Sequence, residues 1–422
     1  MKVLLVNKFH YRKGGSETYY FDLAESLRSM GHEVVFFAME DPENEPCEQS
    51  EYFVSAKDYN GKTSVLQKAK DAVSLIYSRE SKEKFERLLQ KEKPDIIHLN
   101  LVHRQITFSI LDAPSAKGIP VVYTAHDYIP VCPNAIMLDN EGSVCEECLK
   151  GSFMPCMRKR CVKGSITKSA LAVLEAGYLR RRGVYRKIDL VIAPSEFMRS
   201  KLLQGGFLPG QVVVMQNFVR VDLLERAKAE SRGRKENEFL FFGRLSKEKG
   251  ADIAIRAFAH AVSAISSSWH LVIAGDGPES DDIKRLIVES GCAERIKMVG
   301  HLEKGEMIEY VERASLSIAS SRCRENMPYS ILESFSVGTP VVGTRIGGIP
   351  ELIENGETGF LCEPGDVGAL SNALVQATAM ETADYRKMQQ NCRDYVIQRC
   401  DQRAYMETLI DLYRQPFARR SE

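Results

Sequence analysis

The sequence predicts an α/β protein with two doubly wound domains, and three observations lead to this fold class. The chain has 422 residues, which is too long for one ordinary hydrophobic core. Short apolar runs alternate with helical patterns along it, as is typical of parallel sheets with crossover helices. A charged stretch without a strand pattern, residues 220–238, separates two sets of runs. We therefore expect domains over residues 1–220 and 221–400, with a ligand site in the cleft between them.

The expected strands follow in order along the two halves. In the first half they are KVLLVN, HEVVFFAM, DIIHLN, VVYTAH, LVIAPS and VVVMQNF. In the second half they are FLFFGRL, HLVIAGDG, IKMVGHL, LSIASS and PVVGT. The last segment, residues 401–422, contains RAYMETLIDLYRQ, whose spacing of apolar residues predicts a terminal helix.

The composition narrows the class of protein. Lysine plus arginine number 57 and aspartate plus glutamate also number 57, so no overall charge favours nucleic acid as a partner. No apolar run reaches the ~18 residues of a membrane span, and the apolar part of the N-terminus is too short for a signal peptide. We expect a soluble, cytoplasmic protein.

The most informative stretch is residues 324–351, RENMPYSILESFSVGTPVVGTRIGGIPE. Pro328 suits the first turn of a helix, where its missing N–H would have no partner in any case, and Gly338 ends that helix. Glu325 then lies in the loop before the helix and Glu333 within it. The N–H groups of Met327, Tyr329 and Ser330 would form an anion site at the positive end of the helix dipole. A diphosphate there would have one carboxylate on either side.

A second loop could also meet a diphosphate. In FFGRLSKEKG, Arg244 stands at a strand end and Lys249 precedes Gly250 and a helix. Arginine offers a planar fork and lysine a mobile point charge, so together they could neutralise phosphate oxygens. An ordinary solvated basic loop is the alternative.

Together these motifs resemble the nucleotide-sugar site of retaining glycosyltransferases of family 4, the group 1 type of bacterial polysaccharide synthesis, which have the two-domain GT-B fold. The family has E-x7-E followed by GTPVV and GGxPE, and G-R-x5-G in the phosphate loop. The resemblance implies that Glu325 contacts the transferred sugar, Glu333 the ribose hydroxyls, and Arg244 and Lys249 the phosphates. Asn326 stands where many members have glycine, and its backbone amide could still face the donor. In GT-B proteins the terminal helix commonly returns to the first domain.

Two places in the first domain complete the expected site. Gly14 and Gly15 permit a close approach of the backbone to a ligand, and Ser16 would be a good N-cap for the next helix. His126 and Asp127 follow a strand, at the edge where parallel sheets present ligand residues. A structural glycine turn and a structural histidine are the alternatives. The resemblance implies that the glycines lie beside the diphosphate and acceptor and that His126 contacts the transferred sugar, while Asp127 could orient it.

Two further turns are less specific. Gly275 and Gly277 flank Asp276 after a strand, which is compatible with a plain strand-to-helix turn. By the resemblance, Gly300 and His301 lie near the base. Neither half contains the full G-x-G-x-x-G, which disfavours a dinucleotide dehydrogenase.

Five cysteines cluster within thirty residues. Cys145, Cys148, Cys156 and Cys161 read C-x2-C-x7-C-x4-C, close to the spacing of a structural zinc site, and Cys132 could replace one of them. Reduced bystander thiols and disulfides are the alternatives, although disulfides are unusual in a reducing compartment.

A basic arm follows this cluster, within an insertion of about residues 130–187. Residues 150–187 hold eleven lysines and arginines but one acid, Glu175, a net charge of +10. Apolar residues at helical spacing accompany them. The arm could be a helix with a solvated basic face, or a surface for anionic lipid headgroups or a lipid-diphosphate acceptor at the inner face of the membrane. No recognition motif favours nucleic acid.

We therefore expect a retaining glycosyltransferase that moves a sugar from a UDP- or GDP-linked donor to a saccharide acceptor, which we expect to be lipid-linked. No catalytic metal is expected, because Arg244, Lys249 and the helix N-terminus would stabilise the leaving diphosphate. A catalytically silent nucleotide-sugar-binding subunit is the main alternative. A phosphorylase-like enzyme would need a cofactor lysine motif, which is not evident.

Overall fold

The computed structural model of the protein describes residues 1–56, 74–229 and 235–415. The chain divides into two compact units. Unit 1 comprises Met1–Met215 and Arg403–Glu422, and unit 2 comprises Gln216–Gln402. The final segment of the chain therefore belongs with the N-terminal unit.

Unit 1 is built on a six-stranded sheet with the order β2-β1-β3-β4-β5-β6, in which all neighbours are parallel. The strands are β1 Lys2–Val6, β2 Glu33–Phe37, β3 Ile96–Leu99, β4 Val121–Thr124, β5 Leu190–Ala193 and β6 Val212–Val214. The helices are α1 Gly15–Ser29, α2 Arg79–Glu92, α3 Asp112–Lys117, α4 Met154–Arg158, α5 Ile166–Arg181 and α6 Glu196–Gln204. Four consecutive residues of β1, Val3 to Val6, are fully buried, as expected of a strand with helices on both faces.

Unit 2 repeats this architecture with the sheet order β12-β11-β10-β7-β8-β9, again parallel. Its strands are β7 Glu236–Phe242, β8 His270–Ala274, β9 Ile296–Gly300, β10 Ala314–Ala319, β11 Val341–Thr344 and β12 Gly359–Cys362. Its helices are α7 Val221–Lys228, α8 Ala251–Ala261, α9 Ser280–Glu289, α10 Lys304–Arg313, α11 Tyr329–Ser336, α12 Ile349–Leu352, α13 Val367–Thr378 and α14 Thr382–Arg399.

The last helix, α15 Gln402–Arg414, carries the chain from unit 2 into unit 1. Single 3₁₀ turns occur at Ser50–Tyr52, Phe108–Leu111, Glu147–Lys150, Val184–Lys187, Pro209–Gln211 and Ala293–Arg295.

The predicted fold class is confirmed, because both sheets are parallel and doubly wound. Every apolar run that was expected to be a strand contains one. Strand β12, GFLC, was missed because turn residues surround it and the run is short. Gly359 is needed there, since a Cβ at this position would lie 1.9 Å from the carbonyl oxygen of Val341.

The interpretation of residues 220–238 as a strand-free linker was wrong at both of its ends. Residues Val221–Lys228 form α7, which places Leu224 and Ala227 in the core of unit 2. Strand β7 begins at Glu236. Residues 230–234 lie outside the described part of the chain.

Candidate active site

Two loops at one edge of the second sheet are tied together by Arg322. Strands β7 and β10 are neighbours, so the loops that follow them emerge side by side. The guanidinium of Arg322 donates two hydrogen bonds, of 2.8 and 2.6 Å, to the carboxylate of Asp252, while its backbone N–H donates to Glu248. Gly250 has φ +75°, and a Cβ there would lie 2.1 Å from the carbonyl oxygen of Ser320. This tight contact brings together the loop after β7, which was predicted to bind phosphate, and the loop after β10, which was predicted to contact the sugar.

Lys249 and Glu325 form an ion pair across these loops. The Nζ of Lys249 lies 2.7 Å from Oε1 of Glu325, which also accepts a 2.9 Å hydrogen bond from Ser321. Burial raises the pKa of Glu325, but the charge and hydrogen bond of Lys249 outweigh this effect and the pKa is lowered. Burial lowers the pKa of Lys249, but the charge of Glu325 outweighs it and the pKa is raised. Both groups are therefore charged at neutral pH.

The two glycines of GGIPE fix the backbone of Glu325. Gly347 has φ +61°, and a Cβ there would lie 2.2 Å from the carbonyl oxygen of Glu325. The N–H of Gly348 donates a 2.8 Å hydrogen bond to that same oxygen. The motif therefore has a structural reason, which the sequence analysis did not identify: only glycine allows the two segments to approach so closely.

The predicted helix after Glu325 is α11, with Pro328 as its N-cap residue. Within the described chain no side chain caps this helix end. Met327 is buried, and its sulfur lies 3.0 Å from the backbone nitrogen of Asn217, while its carbonyl oxygen accepts a hydrogen bond of 3.2 Å from Nδ2 of that residue. Its side chain therefore anchors the loop. Tyr329, Ser330 and Asn326 are half-buried around the helix start, and Glu333 is half-buried on the helix itself.

Arg244 is exposed, in contrast to the paired Lys249. Within the part of the chain that the structure describes, its side chain makes no hydrogen bond or ion pair. It follows Gly243, whose carbonyl oxygen would lie 1.9 Å from a Cβ at Gly275. A Cβ at Gly277 would likewise lie 2.3 Å from the carbonyl oxygen of Leu245. These glycines therefore allow the loops to pack closely. Gly300 is the last residue of β9, and the exposed His301 follows it.

At the start of unit 1, the expected N-cap at Ser16 was wrong. Helix α1 begins at Gly15, and Gly14 is the N-cap residue, with its carbonyl accepting from the N–H of Thr18. The hydroxyl of Ser16 instead donates to Oε2 of Glu17 at 3.0 Å. Glu17 was not predicted as a site residue. It is buried and accepts a hydrogen bond from Asn7, the residue after β1.

His126 follows β4 and is held by two neighbours. Its Nε2 lies 2.8 Å from Oδ1 of Asn100, and its ring meets that of Tyr19 edge-on at 5.1 Å between centroids. Nδ2 of Asn100 donates to the carbonyl of Val6, which orients the amide so that its oxygen faces the histidine. Nε2 therefore carries the proton and Nδ1 is an acceptor. Burial lowers the pKa of His126 to about 3, so the imidazole is neutral.

The carboxylate of Asp127 points toward His103. The distance from Oδ2 of Asp127 to Nδ1 of His103 is 3.6 Å, and Oδ1 accepts from the N–H of Ile129. Burial lowers the pKa of His103 to about 4, although the charge of Asp127 opposes this. This contact makes Asp127 a fixed carboxylate.

The clustered cysteines all line one small cavity of about 10 Å³, which includes Cys132, Cys145, Cys148, Cys156 and Cys161. A hydrogen bond between two of these thiols raises the pKa of Cys156 and lowers that of Cys161. Nζ of Lys159 lies 3.8 Å from the sulfur of Cys145. As the side chains stand, however, no three His, Cys, Asp or Glu residues of the described ranges are arranged to hold a metal ion.

The predicted basic arm forms helices α4 and α5. Lys163, Lys168, Arg181 and Arg182 are exposed on it. Two apolar side chains are exposed beside them, Ile166 at 53% and Leu174 at 61%. The acid of this arm, Glu175, faces inward, and burial raises its pKa to about 7. Among the described helices of the whole chain, none is both long and apolar enough to cross a lipid bilayer.

The chain matches two models of known protein families. Residues 13–223, half of its length, match the family model described as Glycosyltransferase Family 4. The chain belongs to glycosyltransferase family 4. Residues 225–399 also match the family model described as Glycosyl transferases group 1. The two matches cover both units, and the predicted family is confirmed.

Curated relatives of this family 4 chain align with only part of it. N-acetyl-alpha-D-glucosaminyl L-malate synthase of Bacillus anthracis is 28% identical over 179 residues, 42% of this chain and 45% of that protein. Amylovoran biosynthesis glycosyltransferase AmsK of Erwinia amylovora is 29% identical over 147 residues, 34% of this chain and 36% of that protein. The matched segments thus span less than half the length of either relative.

Solved structures match nearly the whole chain. Anabaena Alr3699/HepE in complex with UDP is 20% identical, with a TM-score of 0.67 over 98% of this chain and 99% of that one. WaaG, a glycosyltransferase involved in lipopolysaccharide biosynthesis, is 14% identical, with a TM-score of 0.63 over 98% and 100%. At this identity the likeness shows the fold alone, which is GT-B.

Proposed function

We propose that this family 4 protein is a retaining glycosyltransferase that uses a nucleoside diphosphate sugar. The observation that carries the proposal is the ion pair of Lys249 and Glu325, held at the start of α11. A charged carboxylate and a charged amine side by side suit a donor whose sugar offers hydroxyl donors and whose diphosphate offers anionic acceptors. That Alr3699/HepE was crystallised with UDP supports a nucleoside diphosphate as the ligand.

In this proposal Lys249 binds both the carboxylate of Glu325 and the diphosphate of the donor. Its ammonium has three N–H donors, so it can keep Glu325 in place and still bind a phosphate oxygen. Arg244, exposed and without a recorded ion pair among the described residues, supplies a second cation. The N-terminal end of α11 adds its partial positive charge. Together these groups stabilise the diphosphate as it leaves, with no divalent metal assigned to that role.

Glu325 then orients the sugar rather than attacking it. Its Oε1 is already bound by Lys249 and Ser321, which makes the carboxylate a fixed acceptor for a sugar hydroxyl. We assign attack by the acceptor hydroxyl to the face from which the diphosphate leaves. The new C–O bond forms as the C–O bond to phosphate breaks, and the acceptor proton passes to a phosphate oxygen. Retention of the anomeric configuration follows from this geometry.

His126 has a role that suits a neutral ring. With Nε2 donating to Asn100, Nδ1 is an acceptor for a sugar hydroxyl. Glu333, on α11, is assigned to the ribose hydroxyls of the donor, and Gly14 and Gly15 to the backbone close to the diphosphate. The acceptor is a saccharide of cell-surface polysaccharide synthesis, carried on a lipid. The cationic and apolar face of α5 supports this choice, because it suits an anionic membrane surface.

Slow hydrolysis of the donor tests the proposal without knowledge of the acceptor. Proton NMR of UDP- and GDP-sugar turnover should show the free sugar first in the anomeric configuration of the donor. Glu325→Ala should abolish turnover but keep nucleotide binding. Inversion of configuration would contradict the mechanism, and nucleotide binding without turnover on any donor would favour a silent binding subunit.

A further inference from the structure

A chain of buried hydrogen bonds runs from the terminal helix into the sheet of unit 1. The hydroxyl of Tyr413 on α15 bonds to Nδ1 of His98, whose Nε2 lies 2.7 Å from Oγ1 of Thr124. Thr124 in turn lies 3.2 Å from the hydroxyl of Tyr19, which lies 2.7 Å from the hydroxyl of Tyr405. His98, Thr124 and Tyr19 are fully buried, and the two tyrosines of α15 are buried as well.

A neutral His98 satisfies the hydrogen bonds of this chain. Each hydroxyl donates one hydrogen bond, and a neutral imidazole has one donor and one acceptor nitrogen. Burial lowers the pKa of His98 to about 3, in agreement with the neutral ring. Because every link is buried, loss of one hydroxyl leaves a polar partner without its bond.

This chain reaches His126 through Tyr19. The tyrosine ring meets the imidazole of His126 edge-on, and its hydroxyl is pinned by both Thr124 and Tyr405. The imidazole is also held by Asn100, whose Oδ1 lies 2.8 Å from Nε2 of His126. The hydroxyl of Tyr19 is therefore fixed in part by the terminal helix, while its ring packs against the histidine.

We propose that Tyr405 and Tyr413 are positioning residues for His126, which act through Tyr19 and His98. The proposal rests on the role assigned to His126 in transfer. The terminal helix thereby has a task beyond packing: its two hydroxyls hold the imidazole in the orientation that presents Nδ1 to the sugar.

Removal of a single hydroxyl tests the proposal. Tyr405→Phe keeps the ring and deletes the bond to Tyr19, so kcat should fall about 10-fold because small misplacements near the reacting atoms are costly. The affinity for nucleoside diphosphate should stay unchanged. Tyr385→Phe is the matched control, because it deletes a 2.7 Å bond from a tyrosine hydroxyl to Ser315 in unit 2. It should leave kcat unchanged.

NMR provides a readout that does not depend on transfer. The chain has eight histidines, and the His126 imidazole signal can be assigned in labelled protein by its loss in His126→Gln. In Tyr405→Phe and Tyr413→Phe the His126 signal should shift or broaden, whereas in Tyr385→Phe it should overlay the wild type. An unchanged His126 signal in both α15 variants would overturn the positioning role, even if their thermal midpoints fall. A shifted signal with no effect on turnover would uphold the positioning of the ring and refute the role of His126 in transfer.

Discussion

Burial has different effects on the charges of the candidate site residues, because some of them have a charged partner and others do not. The Lys249 and Glu325 side chains are partly buried, yet each keeps its charge because the other is 2.7 Å away. His126 has no charged partner nearby and loses its charge instead. The same physics thus yields a charged pair in unit 2 and a neutral acceptor in unit 1.

The histidines of unit 1 predict sensitivity to acid. Burial lowers the pKa of His98 and His126 to about 3, and that of His10 and His103 to about 4. The unfolded chain takes up these protons near pH 6.5, whereas the folded chain takes them up only at these lower values. Between the two, the unfolded state binds more protons, so stability falls as the pH falls below 6.5.

Thermal unfolding between pH 4.5 and 7.5 checks this expectation. The thermal midpoint should fall steadily with acidification, and His103→Asn should flatten the dependence by removing one such histidine. His260→Asn, at an exposed position of unit 2, is the control. A midpoint with the same pH slope in wild type and His103→Asn would contradict the account.

Only part of the site was predictable at the residue scale. The motifs identified Glu325, Lys249 and Arg244 as candidates, but no pattern shows that residues 249 and 325 touch. That contact depends on β7 and β10 being neighbours in the sheet. The spacing of apolar residues predicts strands but does not reveal their order in a sheet. Tyr19 and Asn100 were missed because a buried tyrosine and a strand-end asparagine look like core and turn residues in a sequence.

At the scale of elements, the loop from β10 to α11 is shaped by glycine contacts rather than by regular structure. Strands were predictable because apolar runs of the length of a strand reveal buried parallel sheet. The start of α1 was not predictable in this way. Ser16 has the better capping side chain, but Gly14 occupies the N-cap position. Backbone geometry decided this boundary, and side-chain preference did not.

Gly347→Ala should uncouple this loop from the rest of the site. The new Cβ would be strained by φ +61° and would lie 2.2 Å from the carbonyl oxygen of Glu325. We expect a loss of turnover of roughly 100-fold, since a displacement near 1 Å has that cost, and a lower thermal midpoint. Gly365→Ala is the matched control, because φ is +80° there but nothing lies within 4 Å of a Cβ. Equal effects of both substitutions on turnover would show that strain alone, and not the contact with Glu325, matters.

A zinc ion among the cysteines stays a prediction. The thiols line one cavity, but among the described residues no three of them are grouped closely enough to hold an ion, so binding would require their side chains to rearrange. Metal analysis of protein purified without added metal should then give one zinc per chain, reduced to near zero in Cys148→Ser. Cys47→Ser, a cysteine outside the cavity, should keep the metal. Absence of zinc from the wild type would favour reduced thiols that act as small apolar side chains.

At the scale of the whole molecule, the neutral net charge conceals a strongly uneven distribution. The net charge of the chain is zero, whereas residues 150–187 carry +10. Exposed Ile166 and Leu174 stand among these cations. A cationic surface with exposed apolar side chains suits an anionic bilayer.

Binding to vesicles tests the basic face. Lys163→Gln, Lys168→Gln and Arg181→Gln combined should weaken binding to phosphatidylglycerol vesicles by roughly 100-fold, at about 1 kcal/mol for each cation. Binding should also weaken as salt rises. The control is Lys284→Gln with Arg285→Gln, two exposed cations of unit 2. Equal binding of wild type, triple variant and control would contradict a membrane role for this arm.

Calorimetry tests whether the Lys249–Glu325 pair marks a donor site. UDP, GDP, ADP and NAD would be titrated into the wild type, Lys249→Ala and Lys247→Ala, an exposed neighbour in the same loop. We expect one nucleoside diphosphate to bind the wild type and the Lys247 variant equally. Its affinity should fall about 10- to 100-fold in Lys249→Ala, the size of a lost charged hydrogen bond. Binding of NAD alone, or equal affinity in all three proteins, would contradict the account.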